Sequence, residues 1–126
     1  MPHPIHLHGH DFAVLASGSG AYDPSILQNV SLANPTRRDV ATLPAPAFGA
    51  SAGGFLVIAF NLNNPGNWLM HCHIAWHVSE GLAMQFVERI DEIPTNVGVT
   101  GAWYDLCDSW DTYQNSVNIT RDDSGV

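Results

Sequence analysis

Residues 71–77 place a cysteine between two histidines and a further histidine five residues after the cysteine, in the order His71-Cys72-His73-Ile74-Ala75-Trp76-His77. In an extended strand successive side chains point to opposite faces, so His71 and His73 share one face while Cys72 lies on the other. A thiolate with two imidazoles in a trigonal arrangement is the ligand set of a blue-copper electron-transfer site, and imidazoles alone suit a second metal cluster. This tripeptide is therefore predicted to serve two copper centres that are joined by a short electron path.

A second histidine-rich segment lies at the start of the chain, in the order His3-Pro4-Ile5-His6-Leu7-His8-Gly9-His10. The same alternation puts His6 and His8 on one face, with His3 on the opposite face if the chain stays extended through Pro4. All seven histidines fall in these two segments, which histidines scattered over a core or a surface would not do. The predicted ligand groups are His3, Cys72 and His77 on one side, and His6, His8, His71 and His73 on the other.

These motifs resemble those of the multicopper oxidases, and within that family the fungal laccases of the ascomycete type. The resemblance is carried by His3-Pro4-Ile5-His6-Leu7-His8-Gly9-His10-Asp11-Phe12, by Asn34-Pro35-Thr36-Arg37-Arg38-Asp39, by Asn64-Pro65-Gly66-Asn67-Trp68-Leu69-Met70 with the 71–77 motif, and by Gly81-Leu82-Ala83-Met84-Gln85-Phe86. It implies that His3, Cys72 and His77 bind a type 1 copper. It also implies that His6 is a type 2 ligand and that His8, His71 and His73 are type 3 ligands.

The resemblance also implies an activity for the complete enzyme, which would hold four coppers: one type 1, one type 2 and a type 3 pair. A phenolic or aromatic amine substrate would give up one electron at a time to the type 1 copper, with His77 as the entry point. The electron would then pass through Cys72 to His71 and His73, and O2 would be reduced to water. Cys72 and His77 are thus the residues expected to take part most directly in catalysis.

Three further positions near the motifs have a predicted role. Leu82 stands ten residues after the cysteine, where the family's axial residue lies, and its side chain cannot coordinate copper. A missing axial thioether leaves a three-coordinate type 1 copper, for which a fairly high potential is expected. His10 has no ligand counterpart in the family and is expected to form hydrogen bonds around the ligands. Glu80 is expected to be a solvated carboxylate.

Composition limits what the chain can do and bind. The 126 residues, 45% hydrophobic and 13% charged, suit one compact β-rich domain. A formal charge of -8 with four basic residues argues against nucleic acid or an anionic membrane as a partner. No apolar run approaches the length of a membrane span. Laccases are several times longer, so we expect a C-terminal fragment whose missing partners are the N-terminal cupredoxin domains of the same chain.

The strand pattern predicts an all-β fold, a cupredoxin-like Greek-key β-sandwich that lacks its first strands and ends in a short helical tail. The expected strands are residues 6–16, 39–43, 55–60, 68–73 and 82–90, with a turn at 17–20, a loop over 21–38 and a helical turn at 75–79. Trp103, Leu106 and Trp110 recur at helical spacing. The predicted division is a partial copper-binding domain at 1–93 and a helical extension and tail at 94–126.

Other features are typical of a secreted, extracellular protein. Cys107 has no partner if Cys72 binds copper, and the resemblance implies a disulfide to an earlier domain. Asn29-Val30-Ser31 and Asn118-Ile119-Thr120 are acceptor sequences for N-glycosylation. The last residues, 123–126, resemble the processed end of ascomycete laccases, where the chain enters a solvent channel.

Three alternatives stay open. An electron-transfer cupredoxin would use His3, Cys72 and His77 but leave four histidines without a purpose; for the chain alone, a type 1 copper-binding module without oxidase activity is the most that is expected. A cupin-like dioxygenase would need a carboxylate soon after His8, for which Asp11 is a poor fit, and has no use for Cys72. Ascorbate oxidase, a close relative, normally carries methionine where this chain has Leu82.

Overall fold

The computed structural model describes residues 1–49, 53–96, 98 and 101–117. Within these residues seven strands form two antiparallel sheets. The strands are β1 (His3–Leu7), β2 (Phe12–Ser19), β3 (Thr36–Arg38), β4 (Val40–Leu43), β5 (Gly54–Ala59), β6 (Gly66–Cys72) and β7 (Ala83–Glu88). The helices are α1 (Ala75–Ser79), α2 (Ile93–Asn96) and α3 (Gly101–Val117), with 3₁₀ helices at Pro24–Asn29 and Ile90–Glu92.

The first sheet has the strand order β4-β1-β6-β7 and the second has the order β3-β2-β5. Neighbouring strands that are far apart along the chain, such as β1 and β6 in the first sheet, are typical of Greek-key topology. Strand β5, with the sequence Gly-Phe-Leu-Val-Ile-Ala, is the kind of apolar, β-branched segment that packs well on a pleated surface. Aromatic rings connect the sheets, since Phe60 after β5 meets Phe86 of β7 edge to face with ring centroids 5.5 Å apart.

Among the described residues, the buried side chains lie in the first two strands and at the ends of β6 and β7. They are Leu7, Phe12, Ala13, Cys72 and Glu88. Many large apolar side chains are exposed, above all along α3, where Trp103 is 57% and Leu106 is 66% exposed. The small core thus lies directly beneath the histidine-rich segments and holds them in place.

Most of the predicted elements are confirmed. The helical turn at 75–79 coincides with α1, the strands at 39–43, 55–60, 68–73 and 82–90 correspond to β4 to β7, and the helical spacing of Trp103, Leu106 and Trp110 corresponds to α3. The division of the chain after residue 93 stays a prediction. The sequon at Asn118 and the tail at 123–126 lie outside the described residues.

The single strand predicted for residues 6–16 is wrong, because the chain crosses from one sheet to the other at Gly9. Gly9 has a φ of +71°, a conformation that L side chains rarely adopt, and a Cβ there would lie 2.5 Å from the Trp68 ring. The chain therefore turns between β1 and β2. His8 and His10 lie on either side of Gly9 in this turn, so the turn determines their positions.

The turn predicted at 17–20 is also wrong for most of its length. Gly18 pairs with Phe55 inside the sheet, and Ser19 pairs with Gly54. A Cβ on Gly18 would lie 2.8 Å from the Phe55 ring, so glycine here makes room for an aromatic side chain rather than for a turn. The segment 21–38, predicted as a loop, contains the 3₁₀ helix at Pro24–Asn29 and strand β3.

Replacing Gly9 with alanine should destabilise the protein more than replacing Gly20. Both glycines have positive φ, +71° and +98°, but the space around Gly20 is open to 4 Å. We expect Gly20→Ala to cost about 1–2 kcal/mol in the free energy of unfolding for backbone strain. Gly9→Ala should add roughly 1–3 kcal/mol for overlap with Trp68. Urea unfolding of both variants measures the difference, and equal losses would contradict the close approach of Trp68.

Candidate metal centre

The pairing of β1 with β6 brings the two histidine-rich segments together. In the register of these strands Ile5 lies opposite Cys72 and His6 lies opposite His71. Main-chain hydrogen bonds extend the pairing at both ends, from His8 N to the Leu69 carbonyl at 2.9 Å and from His73 N to the Pro4 carbonyl at 2.7 Å. The strand alternation predicted from the sequence therefore operates across two paired strands.

On one face of this pair His3, Cys72 and His77 converge, and we call them the thiolate site. The Cys72 Sγ lies 3.3 Å from His77 Nδ1 and 3.7 Å from His3 Nδ1, and the two Nδ1 atoms are 3.0 Å apart. Cys72 is fully buried, whereas both imidazoles are half-buried. Among the described residues, this is the group of three metal-binding side chains whose ligand atoms all lie within 4.8 Å of one another.

Helix α1 carries His77 back to the thiolate site. Ile74 precedes the helix in an extended conformation, and its carbonyl accepts hydrogen bonds from His77 N at 3.0 Å and Val78 N at 3.2 Å. The His77 carbonyl then accepts a hydrogen bond from Leu82 N, while Cys72 N donates to the Leu82 carbonyl, both at 3.0 Å. These bonds close a tight connection between β6 and β7 that holds the cysteine and the histidine side by side.

The triangle of donor atoms fits a trigonal metal ion. With metal–nitrogen and metal–sulfur bonds of about 2.0–2.3 Å, trigonal coordination separates the donor atoms by about 3.5–3.7 Å. The observed separations of 3.0, 3.3 and 3.7 Å need shifts of a few tenths of an ångström to reach that geometry. One thiolate and two imidazoles are the donor set that copper takes in electron-transfer sites.

On the other face His6, His8, His71 and His73 lie together, and we call them the histidine group. Neighbouring rings have centroid separations from 4.8 Å for the His6–His8 pair to 5.7 Å for the His6–His73 pair. His8 Nε2 is 3.1 Å from His71 Nε2. The structure thus brings the seven predicted ligands together as two groups, with Cys72 on one side of the strand and its two neighbours on the other.

Main-chain carbonyls fix which ring nitrogen each of two imidazoles offers. His6 Nδ1 donates to the Asp39 carbonyl at 2.8 Å, and His71 Nδ1 donates to the Cys72 carbonyl at 2.9 Å. Because Nδ1 carries the hydrogen in both rings, the lone pair of each neutral ring lies on Nε2. His6 and His71 therefore present metal-binding atoms away from the strand.

The environment of two of the imidazoles favours their neutral form. Burial and then the neighbouring imidazoles His6, His71 and His73 lower the pKa of His8 from its ordinary value. Burial and then His77 lower the pKa of His3. A metal ion needs the neutral form, so a lowered pKa favours binding near neutral pH.

Leu82 lies next to the thiolate site. An open recess of about 160 Å³ is lined by Cys72 and Leu82 together with Ile5, Met70, His71, Gly81, Ala83 and Met84. Its wall is almost entirely apolar, in agreement with a leucine rather than a ligand at this position. Glu80, at the end of α1, is exposed.

The residue that sequence reasoning missed is Glu88, which is buried with 1% of its side chain exposed. His10 Nε2 lies 3.0 Å from Glu88 Oε1 and 3.2 Å from Oε2, and His10 Nδ1 donates to the His8 carbonyl at 3.0 Å. The signal was present in the sequence, because strand alternation places Glu88 on the same face as Phe86, which contacts the other sheet. A carboxylate on that face requires a polar partner, which is His10.

The comparisons with known proteins agree with this geometry. The family model described as multicopper oxidase matches residues 1–92. The chain belongs to the multicopper oxidases. Membership of this family implies copper as the metal, and His3, Cys72 and His77 form a group of side chains that could hold such an ion.

Relatives in this family include fungal oxidases of known name. Laccase-1 of Botryotinia fuckeliana is 50% identical over 126 residues, which cover 98% of this chain and 21% of that protein. Dihydrogeodin oxidase of Aspergillus terreus is 45% identical over 131 residues, which cover 98% of this chain and 20% of that protein. The chain thus spans about a fifth of the length of these multicopper oxidases.

A solved structure shows the same fold. The laccase from Botrytis aclada matches with a TM-score of 0.71 and 44% identity, over 100% of this chain and 22% of that chain. The two-sheet architecture is accordingly a cupredoxin-like Greek-key fold with a few short helices, as the strand pattern predicted. Within the described residues, no helix is long and apolar enough to cross a membrane.

The stability of the metal-free protein should fall as the pH drops from 7.5 to 5.5. His3 and His8 have lowered pKa values in the folded protein, so below about 6.5 the unfolded chain binds protons that the folded chain does not. The urea midpoint should decrease over this range, and His8→Gln should make the decrease shallower. A midpoint that rises on acidification would contradict this prediction.

The two cysteines should differ in reactivity. Cys72 is fully buried and Cys107 is exposed, so iodoacetamide should modify Cys107 at least roughly tenfold faster in the native metal-free protein. Mass spectrometry of tryptic peptides measures both rates. The Cys107→Ser variant should lose the fast reaction, and rapid labelling of Cys72 in that variant would show that the thiolate site is open.

Proposed function

We propose that this chain is the C-terminal copper-binding part of a laccase-type oxidase. In this proposal the complete protein oxidises phenolic or aromatic amine substrates one electron at a time and reduces O2 to water. Four such oxidations supply four electrons, and with four protons these convert one O2 into two water molecules. The observation that carries the proposal is the convergence of His3, Cys72 and His77 on one face, directly behind the histidine group.

We assign the thiolate site to a type 1 copper and the histidine group to part of a trinuclear cluster, with His6 at type 2 and the other three at type 3. Copper bound at these sites supplies the one-electron redox chemistry and the reduction of oxygen. The chain's own residues hold the donors, keep Cys72 away from water and fix the distance between the two sites. The Leu82 side chain, beside the thiolate site, cannot coordinate copper, so His3, Cys72 and His77 would hold the ion by themselves and a fairly high potential would be expected.

Electron transfer between the sites would use the strand itself. Cys72 is covalently continuous with His71 and His73, one on each side, and the His71 ring also donates a hydrogen bond to the Cys72 carbonyl at 2.9 Å. One short route would follow the covalent main chain from Cys72 to its two neighbours, and a second would cross the hydrogen bond between the Cys72 carbonyl and the His71 ring. His77 is half-buried and stacks edge to face with the exposed Trp76, so its ring is the part of the thiolate site that a substrate could approach.

The similarity of this region to its relatives does not indicate which substrate the complete protein oxidises. The Aspergillus terreus relative is named for the oxidation of dihydrogeodin and is 45% identical, close to the 50% of laccase-1. We propose a secreted enzyme, in keeping with the sequon at Asn29 at the exposed end of a 3₁₀ helix, and a disulfide from Cys107 to an earlier domain. The missing N-terminal domains would supply the remaining cluster ligands.

A second function is favoured for the 126-residue chain by itself. The donor atoms of the thiolate site already form a closed triangle, whereas the four imidazoles of the histidine group do not converge in the same way among the described residues. The chain alone would then act as a type 1 copper-binding and electron-transfer module with little or no oxygen reduction.

Loading the metal-free protein with Cu(II) tests the proposal. A thiolate–copper site should give an intense blue absorption band near ~600 nm and a type 1 electron paramagnetic resonance (EPR) signal. Cys72→Ser should abolish both, because the charge-transfer band requires the thiolate, while Cys107→Ser should leave them unchanged. Copper binding without a blue band would contradict the assignment of the thiolate site. Oxygen uptake by the copper-loaded chain would contradict the proposal that the chain alone is an electron-transfer module.

A further inference from the structure

The buried pair of His10 and Glu88 lies outside both metal sites but contacts one of them through the main chain. The exposed fraction of the His10 side chain is 4% and that of Glu88 is 1%. The His10 ring packs between Phe60, at a centroid separation of 5.2 Å, and Trp68, at 5.8 Å. Burying an ionisable pair beside aromatic rings costs free energy that burying an apolar pair would not, which directs attention to what its hydrogen bonds hold.

Both nitrogens of the His10 ring are engaged. Nδ1 points at the His8 carbonyl, which can only accept, so Nδ1 carries a hydrogen. Nε2 faces the Glu88 carboxylate, so one proton lies between the ring and the carboxylate. Glu88 thereby fixes the ring in the orientation that lets Nδ1 hold the carbonyl of a histidine-group residue.

The segment from His8 to His10 is held at several consecutive atoms. His8 N donates to the Leu69 carbonyl, the His8 carbonyl accepts from His10, and the Gly9 carbonyl accepts from Asn64 Nδ2 at 2.9 Å. Trp68 closes the arrangement, because its Nε1 donates to the Asn64 carbonyl at 2.7 Å. His8 lies just beyond β1, which ends at Leu7, so the position of its Nε2, 3.1 Å from His71 Nε2, depends on this segment as well as on the pairing of β1 with β6.

We propose that His10 and Glu88 are positioning residues for the histidine group, which act by fixing the His8 main chain and so the direction of its imidazole. The inference rests on the proposed function, because it concerns how the histidine group binds copper. It predicts that the pair sets the copper affinity of the histidine group and leaves the thiolate site unaffected. The thiolate site is reached through β1, β6 and α1, none of which contains His10 or Glu88.

The test compares variants of the full chain in titrations with Cu(II) alone. The blue band reports the thiolate site, and the EPR signal of non-blue copper reports the histidine group. The decisive variant is the double substitution His10→Phe with Glu88→Leu. It keeps an aromatic ring between Phe60 and Trp68 and removes both buried polar groups together, so the fold should survive. Urea unfolding verifies that it does.

We expect the double variant to bind copper at the histidine group about 10–100-fold more weakly. This is the usual effect of removing a hydrogen bond that orients a metal-binding residue, here the bond from His10 to the His8 carbonyl. Its non-blue EPR spectrum should change and its blue band should not. Glu88→Gln should restore affinity to within about threefold of the wild type, because an amide can donate to Nε2 while Nδ1 keeps its bond to the His8 carbonyl. Glu80→Gln, at an exposed carboxylate, is the matched control and should change neither signal.

Two results would overturn the inference while leaving the proposed function intact. One is a folded double variant with wild-type affinity and an unchanged non-blue EPR spectrum. The other is a parallel loss of the blue band, which would show a general structural role for the pair. If the wild-type chain shows the blue band but no non-blue copper at all, the inference fails, because the histidine group of this chain then binds no copper whose affinity the pair could set, while the assignment of the thiolate site stands.

Discussion

The antiparallel pairing of β1 with β6 is the constraint on which both the thiolate site and the histidine group depend, whether or not each binds a metal ion. His6 stands opposite His71 and Ile5 stands opposite Cys72. In this register His6 and His71 face the side of the histidine group, and Cys72 faces the side of the thiolate site. A slip of one residue would turn every side chain of one strand to the other face and would separate His3 from Cys72. Strand β4 holds the opposite edge of β1, where Leu7 N donates to the Asp39 carbonyl at 3.1 Å. The register is thus fixed from both sides.

The backbone also determines which nitrogen each imidazole offers. In the histidine group, the Asp39 and Cys72 carbonyls accept hydrogen bonds from Nδ1 of His6 and His71, so the Nε2 atom of each ring is left as the one that could bind a metal ion. In the thiolate site, His3 and His77 instead turn Nδ1 toward the sulfur. Opposite ring nitrogens therefore serve the two faces. Main-chain carbonyls at the ends of paired strands therefore orient two of the four rings of the histidine group.

The division of the seven residues into two groups was predictable from the sequence because strand alternation is a strict period of two and the histidines occur in two short runs. The apolar strand before the 71–77 motif and the helical turn after it were predictable for the same reason, since each has a clear periodicity. The change of sheet at Gly9 was not predictable, because it depends on the Trp68 ring lying where a Cβ would be. The strand at Gly18 was missed since a glycine–serine run resembles a turn until the Phe55 ring that covers it is known.

Glu88 shows the limit of reasoning from motifs. A pattern search weights residues by type and spacing, and a single glutamate at the end of an apolar strand has neither a partner in sequence nor a recognisable spacing to one. Its partner His10 is 78 residues away. The pairing follows from the fold, in which β7 runs beside β6 and the turn after β1 packs on Trp68 of β6.

The scarcity of fully buried side chains has a thermodynamic consequence. Since the buried side chains among the residues that the structure describes are Leu7, Phe12, Ala13, Cys72 and Glu88, unfolding of this part of the chain uncovers little apolar surface. The heat-capacity change and the denaturant dependence of unfolding both scale with that surface, so both should be small. A small heat-capacity change gives a flat stability curve and a broad thermal transition. In such a protein, the binding free energy of metal at the two sites would account for a large share of the total stability.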